Sequence, residues 1–155
     1  MNPTHLAKEI ESLVKRGKKL KPKDLYVISS IKENPIAPFL LNRYTEDGNL
    51  LLKDLLVDLQ NFVKGIDMNY KLSFLFKIYD YNKNGEITNA ELFKLLEAIT
   101  GSKDVRSLQN LVDKVFLKLD EFKHTMNEEE FLKIVNIKNK NLKKFFICDD
   151  KFFKL

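Results

Sequence analysis

Between positions 80 and 91 the chain reads Asp80-Tyr81-Asn82-Lys83-Asn84-Gly85-Glu86-Ile87-Thr88-Asn89-Ala90-Glu91, with oxygen-bearing side chains at the first, third and fifth places. Three such side chains, a main-chain carbonyl at the seventh place, a direct or water-borne ligand at the ninth and a two-oxygen carboxylate at the twelfth can enclose a hard divalent cation. Asp80, Asn82 and Asn84 supply the first three, Glu86 the carbonyl, Thr88 the ninth position and Glu91 the closing carboxylate. Gly85 stands at the sixth place, where the chain must turn sharply and a residue without Cβ reaches positive φ freely. A sphere made only of oxygen, at about 2.3–2.6 Å, selects calcium over zinc. Because only Asp80 and Glu91 are charged side-chain ligands, the expected affinity is below that of an all-acidic loop, on the order of micromolar or weaker.

Such a loop needs a helix on each side, and the flanks provide both. Leu72, Leu75, Phe76 and Tyr79 precede it at i, i+3, i+4 and i+7, and Leu92, Leu95, Leu96 and Ile99 follow it at the same spacing. The motif is therefore read as an EF-hand, a unit that cannot bury its own apolar face and so occurs in pairs. A second copy follows in damaged form. Val112, Val115, Phe116 and Leu119 repeat the entering stripe, and Phe131, Ile134 and Val135 repeat the exit stripe. The stretch from Asp120 to Glu130 is one residue short, with Phe122 and His124 in place of oxygen ligands and Thr125 in place of the glycine. It is expected to bind no metal and to serve structurally, Met126 pairing with Ile87 in a short antiparallel ribbon.

The N-terminal half holds weaker echoes. Arg43-Tyr44-Thr45-Glu46-Asp47-Gly48-Asn49-Leu50-Leu51-Leu52-Lys53-Asp54 keeps a glycine at its sixth place, but a cation at its first place repels metal. Leu55, Leu59 and Phe62 form its exit face, while Pro35, Pro38 and Asn42 interrupt the entering one. Upstream, Leu6, Ile10, Leu13 and Val14 mark one helix, and Leu25, Ile28 and Ile31 predict another after Pro22, with no space between for a calcium loop. The expected fold is all-α: a two-lobed EF-hand array with a two-strand ribbon between paired loops. Residues 1–66 form an N-terminal lobe, 67–138 a C-terminal lobe and 139–155 a basic, aromatic tail, with Lys64-Gly65-Ile66-Asp67-Met68-Asn69 as the linker.

Composition narrows the function. The 155 residues are 44% hydrophobic and carry a net charge of +5, which excludes a disordered chain. The single Cys148 and two histidines exclude a disulfide scaffold and a zinc finger. Beyond Lys15-Arg16-Gly17-Lys18-Lys19-Leu20-Lys21 the lysines alternate with acids at helical spacing, so a nucleic-acid partner is not expected. No apolar run is long enough to span a membrane, and Asn2 rather than glycine follows Met1, so no myristoyl anchor is expected and a cytoplasmic location is. His5 and His124 lie beside no nucleophile, and Cys148 sits in an apolar-then-acidic stretch, so the chain is not expected to be an enzyme. Phe74, Phe93, Phe116 and Phe131 are expected in the core, whereas Phe145, Phe146, Phe152 and Phe153 suit a lid or partner contact as well.

Taken together the chain resembles the calcineurin B family, the four-EF-hand regulatory subunits of the calcium-dependent serine/threonine phosphatase. The resemblance rests on Ile10-Glu11-Ser12-Leu13-Val14-Lys15-Arg16-Gly17-Lys18-Lys19-Leu20, on Asn34-Pro35, and on Lys71-Leu72-Ser73-Phe74-Leu75-Phe76-Lys77-Ile78-Tyr79-Asp80. Glu91-Leu92-Phe93, Leu111-Val112-Asp113-Lys114 and the tail Asn141-Leu142-Lys143-Lys144-Phe145-Phe146-Ile147-Cys148-Asp149 extend it. It implies a non-catalytic subunit that clasps an amphipathic helix of a phosphatase catalytic subunit. Family members typically load four hands, whereas one intact loop here implies one calcium ion. A free calcium sensor or buffer, and a calcineurin-homologous chaperone of another helical target, remain open at this point.

Overall fold

A computed structural model describes residues 3–14, 19–64, 67–120 and 122–136. The chain begins with α1 (Pro3–Val14), whose Leu6 and Ile10 are fully buried against α4 (Leu52–Lys64). The single helix expected over Leu25, Ile28 and Ile31 is instead a 3-10 segment, Pro22–Val27, followed by the one-turn α2 (Ser29–Lys32). Ile28 separates them in an extended conformation with φ −79° and ψ 117°. Tertiary burial of Leu25, Ile28 and Ile31 satisfies the apolar stripe without a continuous helix.

Of the two prolines that interrupt the apolar pattern near position 36, Pro35 lies in the turn before a helix and Pro38 starts it. In α3 (Ala37–Arg43) Pro38 occupies the first turn, where its missing N–H leaves no bond unmade, and Ala37, Phe39, Leu40 and Leu41 are buried. The loop that follows folds into a feature absent from the sequence expectation: a β-hairpin of β1 (Thr45–Glu46) and β2 (Asn49–Leu50), registered Thr45 to Leu50. Its turn residues Asp47 and Gly48 both have positive φ, 49° and 76°, the requirement of a tight primed turn. Among the described residues β1 and β2 pair only with each other.

α4 brings Leu55, Leu59 and Phe62 into the core. Asp67 then caps α5 (Met68–Tyr79), accepting from the Tyr70 N–H at 2.7 Å. α5 has buried residues on several sides, among them Leu72, Phe74, Phe76, Ile78 and Tyr79, because α3, α4 and α8 all pack on it. β3 (Glu86–Thr88) lies within the 80–91 loop, and α6 (Asn89–Thr100) starts in its last positions and ends on left-handed Gly101 at φ 67°. Asp104 caps α7 (Val105–Leu117), accepting from Arg106 and Ser107 N–H groups, and the Ser107 hydroxyl with those N–H bonds holds its carboxyl below the usual range. β4 (Thr125–Asn127) and α8 (Glu128–Asn136) complete the described chain.

β3 and β4 form the expected antiparallel ribbon, with Ile87 opposite Met126 and both fully buried. The Asn89 N–H extends it by bonding to the His124 carbonyl at 3.1 Å. Phe131, Ile134 and Val135 are wholly buried, and the Phe131 ring lies 5.6 Å from Phe76 and 6.1 Å from Tyr79. Phe74 and Phe116 are core residues, while Phe93 is half-buried at the core's edge. The architecture is thus helical, built of helix–loop–helix units with short ribbons at the loops. Cys148 and the terminal phenylalanines lie outside the described residues, as do residues 65–66 of the linker. Among the described residues no helix is long and apolar enough to cross a membrane.

Candidate metal centre

The loop 80–91 is assembled by the ends of two helices and one strand. Asp80 ends α5, Thr88 ends β3, and Glu91 lies in the first turn of α6. Both carboxylates are buried, each 5% exposed. Asp80 accepts from the Asn84 N–H at 3.3 Å on one oxygen and from the Gly85 N–H at 2.7 Å on the other. Gly85 has φ +83°, and nothing lies within 4 Å of where a Cβ would stand, so backbone conformation alone selects glycine there.

Glu91 has two roles in one conformation. Its Oε2 accepts from the Thr88 N–H at 2.8 Å while the Thr88 hydroxyl accepts from the Glu91 N–H at 3.2 Å, a reciprocal capping box at the start of α6. Its Oε1 reaches across the loop to the Asn82 N–H at 2.9 Å. The helix cap therefore aims the twelfth-position carboxylate at the third-position residue. The Asn84 side-chain oxygen accepts from the Glu86 N–H at 3.1 Å, which orients that amide within the loop.

Every residue singled out from the sequence, Asp80, Asn82, Asn84, Thr88 and Glu91 for their side chains and Glu86 for its carbonyl, belongs to this one wrapped loop. The donor set fits calcium: two buried carboxylates, amide and hydroxyl oxygens and a main-chain carbonyl, all hard, with lone pairs left after their N–H bonds. Among the described residues no three His, Cys, Asp or Glu side chains are grouped so as to hold a metal ion, and in this loop asparagines occupy the third and fifth positions.

The loop between α7 and α8 is built differently. Glu130, at the place of a closing carboxylate, pairs through Oε1 with the Lys123 ammonium. Its Oε2 is buried with no hydrogen-bond partner among the described residues. Attraction to Glu130, first through that hydrogen bond, and then to Glu86 and Asp120 holds the Lys123 proton above the ordinary lysine range. A side-chain cation thus meets the carboxylate that a metal would meet in a complete hand. The sequence expectation lacks this pair, although a lysine seven residues before the glutamate is visible in it.

In the N-terminal half, Arg43, Thr45, Asp54, Asp58 and Lys83 line a cleft of about 430 Å³ beside the hairpin. Tyr44 donates to Asp58 at 2.6 Å, and burial, followed by that bond, pushes its phenol far above its ordinary range.

Paired helix–loop–helix units, a ribbon joining two loops and an oxygen-lined twelve-residue loop define an EF-hand protein. No protein-family model matches the chain. It is similar to calcineurin B of Naegleria gruberi, 35% identical over 126 residues covering 74% of this chain and 71% of the relative. It is also similar to calcineurin B type 2 of Bos taurus, 36% identical over 129 residues covering 72% of each chain. For calcineurin B of Schizosaccharomyces pombe the identity is 34% over 122 residues, 72% of this chain and 67% of the relative. The chain belongs to the calcineurin B family.

Proposed function

We propose that this chain is a non-catalytic, calcium-binding regulatory subunit that clasps an amphipathic helix of a serine/threonine phosphatase catalytic subunit. One calcium ion is held at 80–91 by side-chain oxygens of Asp80, Asn82 and Asn84, the Glu86 carbonyl, both oxygens of Glu91, and Thr88 directly or through water. The observation that carries this reading is the placement of Glu91, buried and turned from the α6 cap onto the third loop position. The kinship to calcineurin B proteins supports the partner, a calcineurin A-type helix. Residues 1–66 and 67–138 serve as the two lobes of the clasp and 139–155 as its tail. In helix-in-groove recognition the bound helix presents apolar anchors at i, i+3, i+4 and i+7, and that is the partner surface this reading calls for.

The test is a calorimetric calcium titration of the chain alone and with a peptide of that helix. One site, tightened by the peptide and lost in Glu91→Gln, is the expected result. Unchanged binding in Glu91→Gln refutes the site. Calcium binding with no affinity for the peptide refutes the phosphatase role and favours a free sensor.

A further inference from the structure

The two non-ligand residues on the outer side of the calcium loop's first half, Tyr81 and Lys83, touch the N-terminal half of the molecule. Asn42, at the end of α3, donates through Nδ2 to the Tyr81 carbonyl at 2.8 Å. The Tyr81 ring stands edge-on to Phe39 with centroids 5.7 Å apart. The Lys83 ammonium donates to the Thr45 carbonyl in β1 at 2.6 Å. These three contacts join residues about forty positions apart, and all fall on the hand whose own loop has become a hairpin.

From this arrangement we infer that the calcium loop is also the joint to the hairpin hand of α3 and α4, and that calcium affinity at 80–91 is linked to docking of Tyr81 and Lys83 on Asn42, Phe39 and Thr45. The inference rests on the calcium reading of that loop. Its sign follows from the backbone. Lys83 has φ +58°, a left-handed conformation that a residue with a Cβ adopts at a cost. Its N–H bonds the Asp80 carbonyl at 3.2 Å, so the same conformation wraps Asn82 and Asn84 around Asp80. Contacts that hold Tyr81 and Lys83 from outside keep the ligands gathered and reduce the ordering left for the metal to impose. The Thr45 carbonyl also draws a positive charge outward from a loop that must take a cation. Linkage is reciprocal, so calcium strengthens the docking by the factor that docking strengthens calcium binding.

The test uses the full chain and calorimetric calcium titration. Asn42→Ala alters no loop residue and removes the donor to the Tyr81 carbonyl; it is expected to weaken calcium binding about fivefold with stoichiometry unchanged, the worth of one hydrogen bond. Tyr81→Ala, which removes the ring contact with Phe39, is expected to weaken it similarly. Asn49→Ala is the control, since Asn49 lies on the hairpin and its side chain bonds the Asp47 carbonyl at 3.3 Å. Wild-type affinity in both Asn42→Ala and Tyr81→Ala overturns the linkage while leaving the calcium site standing. Equal weakening by Asn49→Ala overturns it too, because the effect then reports general loosening of that hand. A wild-type chain that binds no calcium overturns both the site and the linkage.

Discussion

If the α7–α8 hand has lost its loop but braces the calcium-loop hand, the brace should be measurable at Phe131. Its side chain is fully buried, and its ring packs on Phe76 and Tyr79 of the helix that leads into Asp80. Phe131→Ala removes the transfer free energy of a whole ring, leaves a cavity and breaks two aromatic contacts, together about 4 kcal/mol. In a chain of this length each kcal/mol lowers the melting temperature by about 2–4 °C, so the expected shift is about 8–16 °C. Phe131→Leu keeps most of the volume and is expected to cost under about 1.5 kcal/mol. The half-buried Phe93 provides a comparison on the other exit helix, and Phe93→Ala is expected to lose less than Phe131→Ala. Thermal melts followed by circular dichroism, with chelator and with calcium, measure all three. Calcium at a hundredfold its dissociation constant should restore about 2.7 kcal/mol to each variant. A Phe131→Ala chain within about 1 kcal/mol of wild type, or one no worse than Phe93→Ala, would refute the bracing argument.

The elevated Tyr44 phenol makes stability depend on alkaline pH. The native state keeps this proton after the unfolded chain, titrating near about 10, has released it, so the contribution is complete below that pH and falls as pH rises past it. Urea midpoints of wild type and Tyr44→Phe should therefore diverge above about pH 10, the variant losing less. Gly48→Ala meets no neighbour within 4 Å but must hold φ +76°, so about 1–2 kcal/mol of stability should disappear in denaturant titrations with calcium stoichiometry unchanged. Thr88→Ala removes the hydroxyl from the α6 cap, and a loss of about 1 kcal/mol together with weaker calcium binding is expected, since the cap aims Glu91.

The parts of the fold legible in the sequence are those governed by local periodicity and fixed spacing. The stripes before and after residues 80–91 predict α5 and α6, and apolar Ile87 and Met126 predict their pairing in the ribbon. Helix breaks at Gly101 and before Met68 follow from glycine and capping chemistry. The parts that differ depend on long-range packing or on turn chemistry that serves two purposes. Leu25, Ile28 and Ile31 have helical spacing, but burial rather than helix propensity decides their conformation. Pro38 has the look of a breaker, although a proline in a first turn starts a helix. Asp47-Gly48 is a dipeptide favoured in two-residue hairpin turns, masked by its coincidence with the sixth place of a metal loop. At 80–91 the spacing of the oxygen-bearing side chains is fully visible. The outer contacts of Tyr81 and Lys83 are not, because nothing local relates them to Asn42 and Thr45.

The self-paired hairpin also sets an order of events during synthesis. β1 finds β2 within a single turn, whereas β3 finds β4 only across the whole of α6 and α7. Contacts between neighbours close with little entropic cost, and distant ones close late. At about 5–20 residues per second, Met126 follows Ile87 from the ribosome by about 2–8 s. For that interval the hairpin hand has already been synthesised while Ile87 waits without its ribbon partner, so Asn42 and Thr45 are present for Tyr81 and Lys83 before Met126 is made.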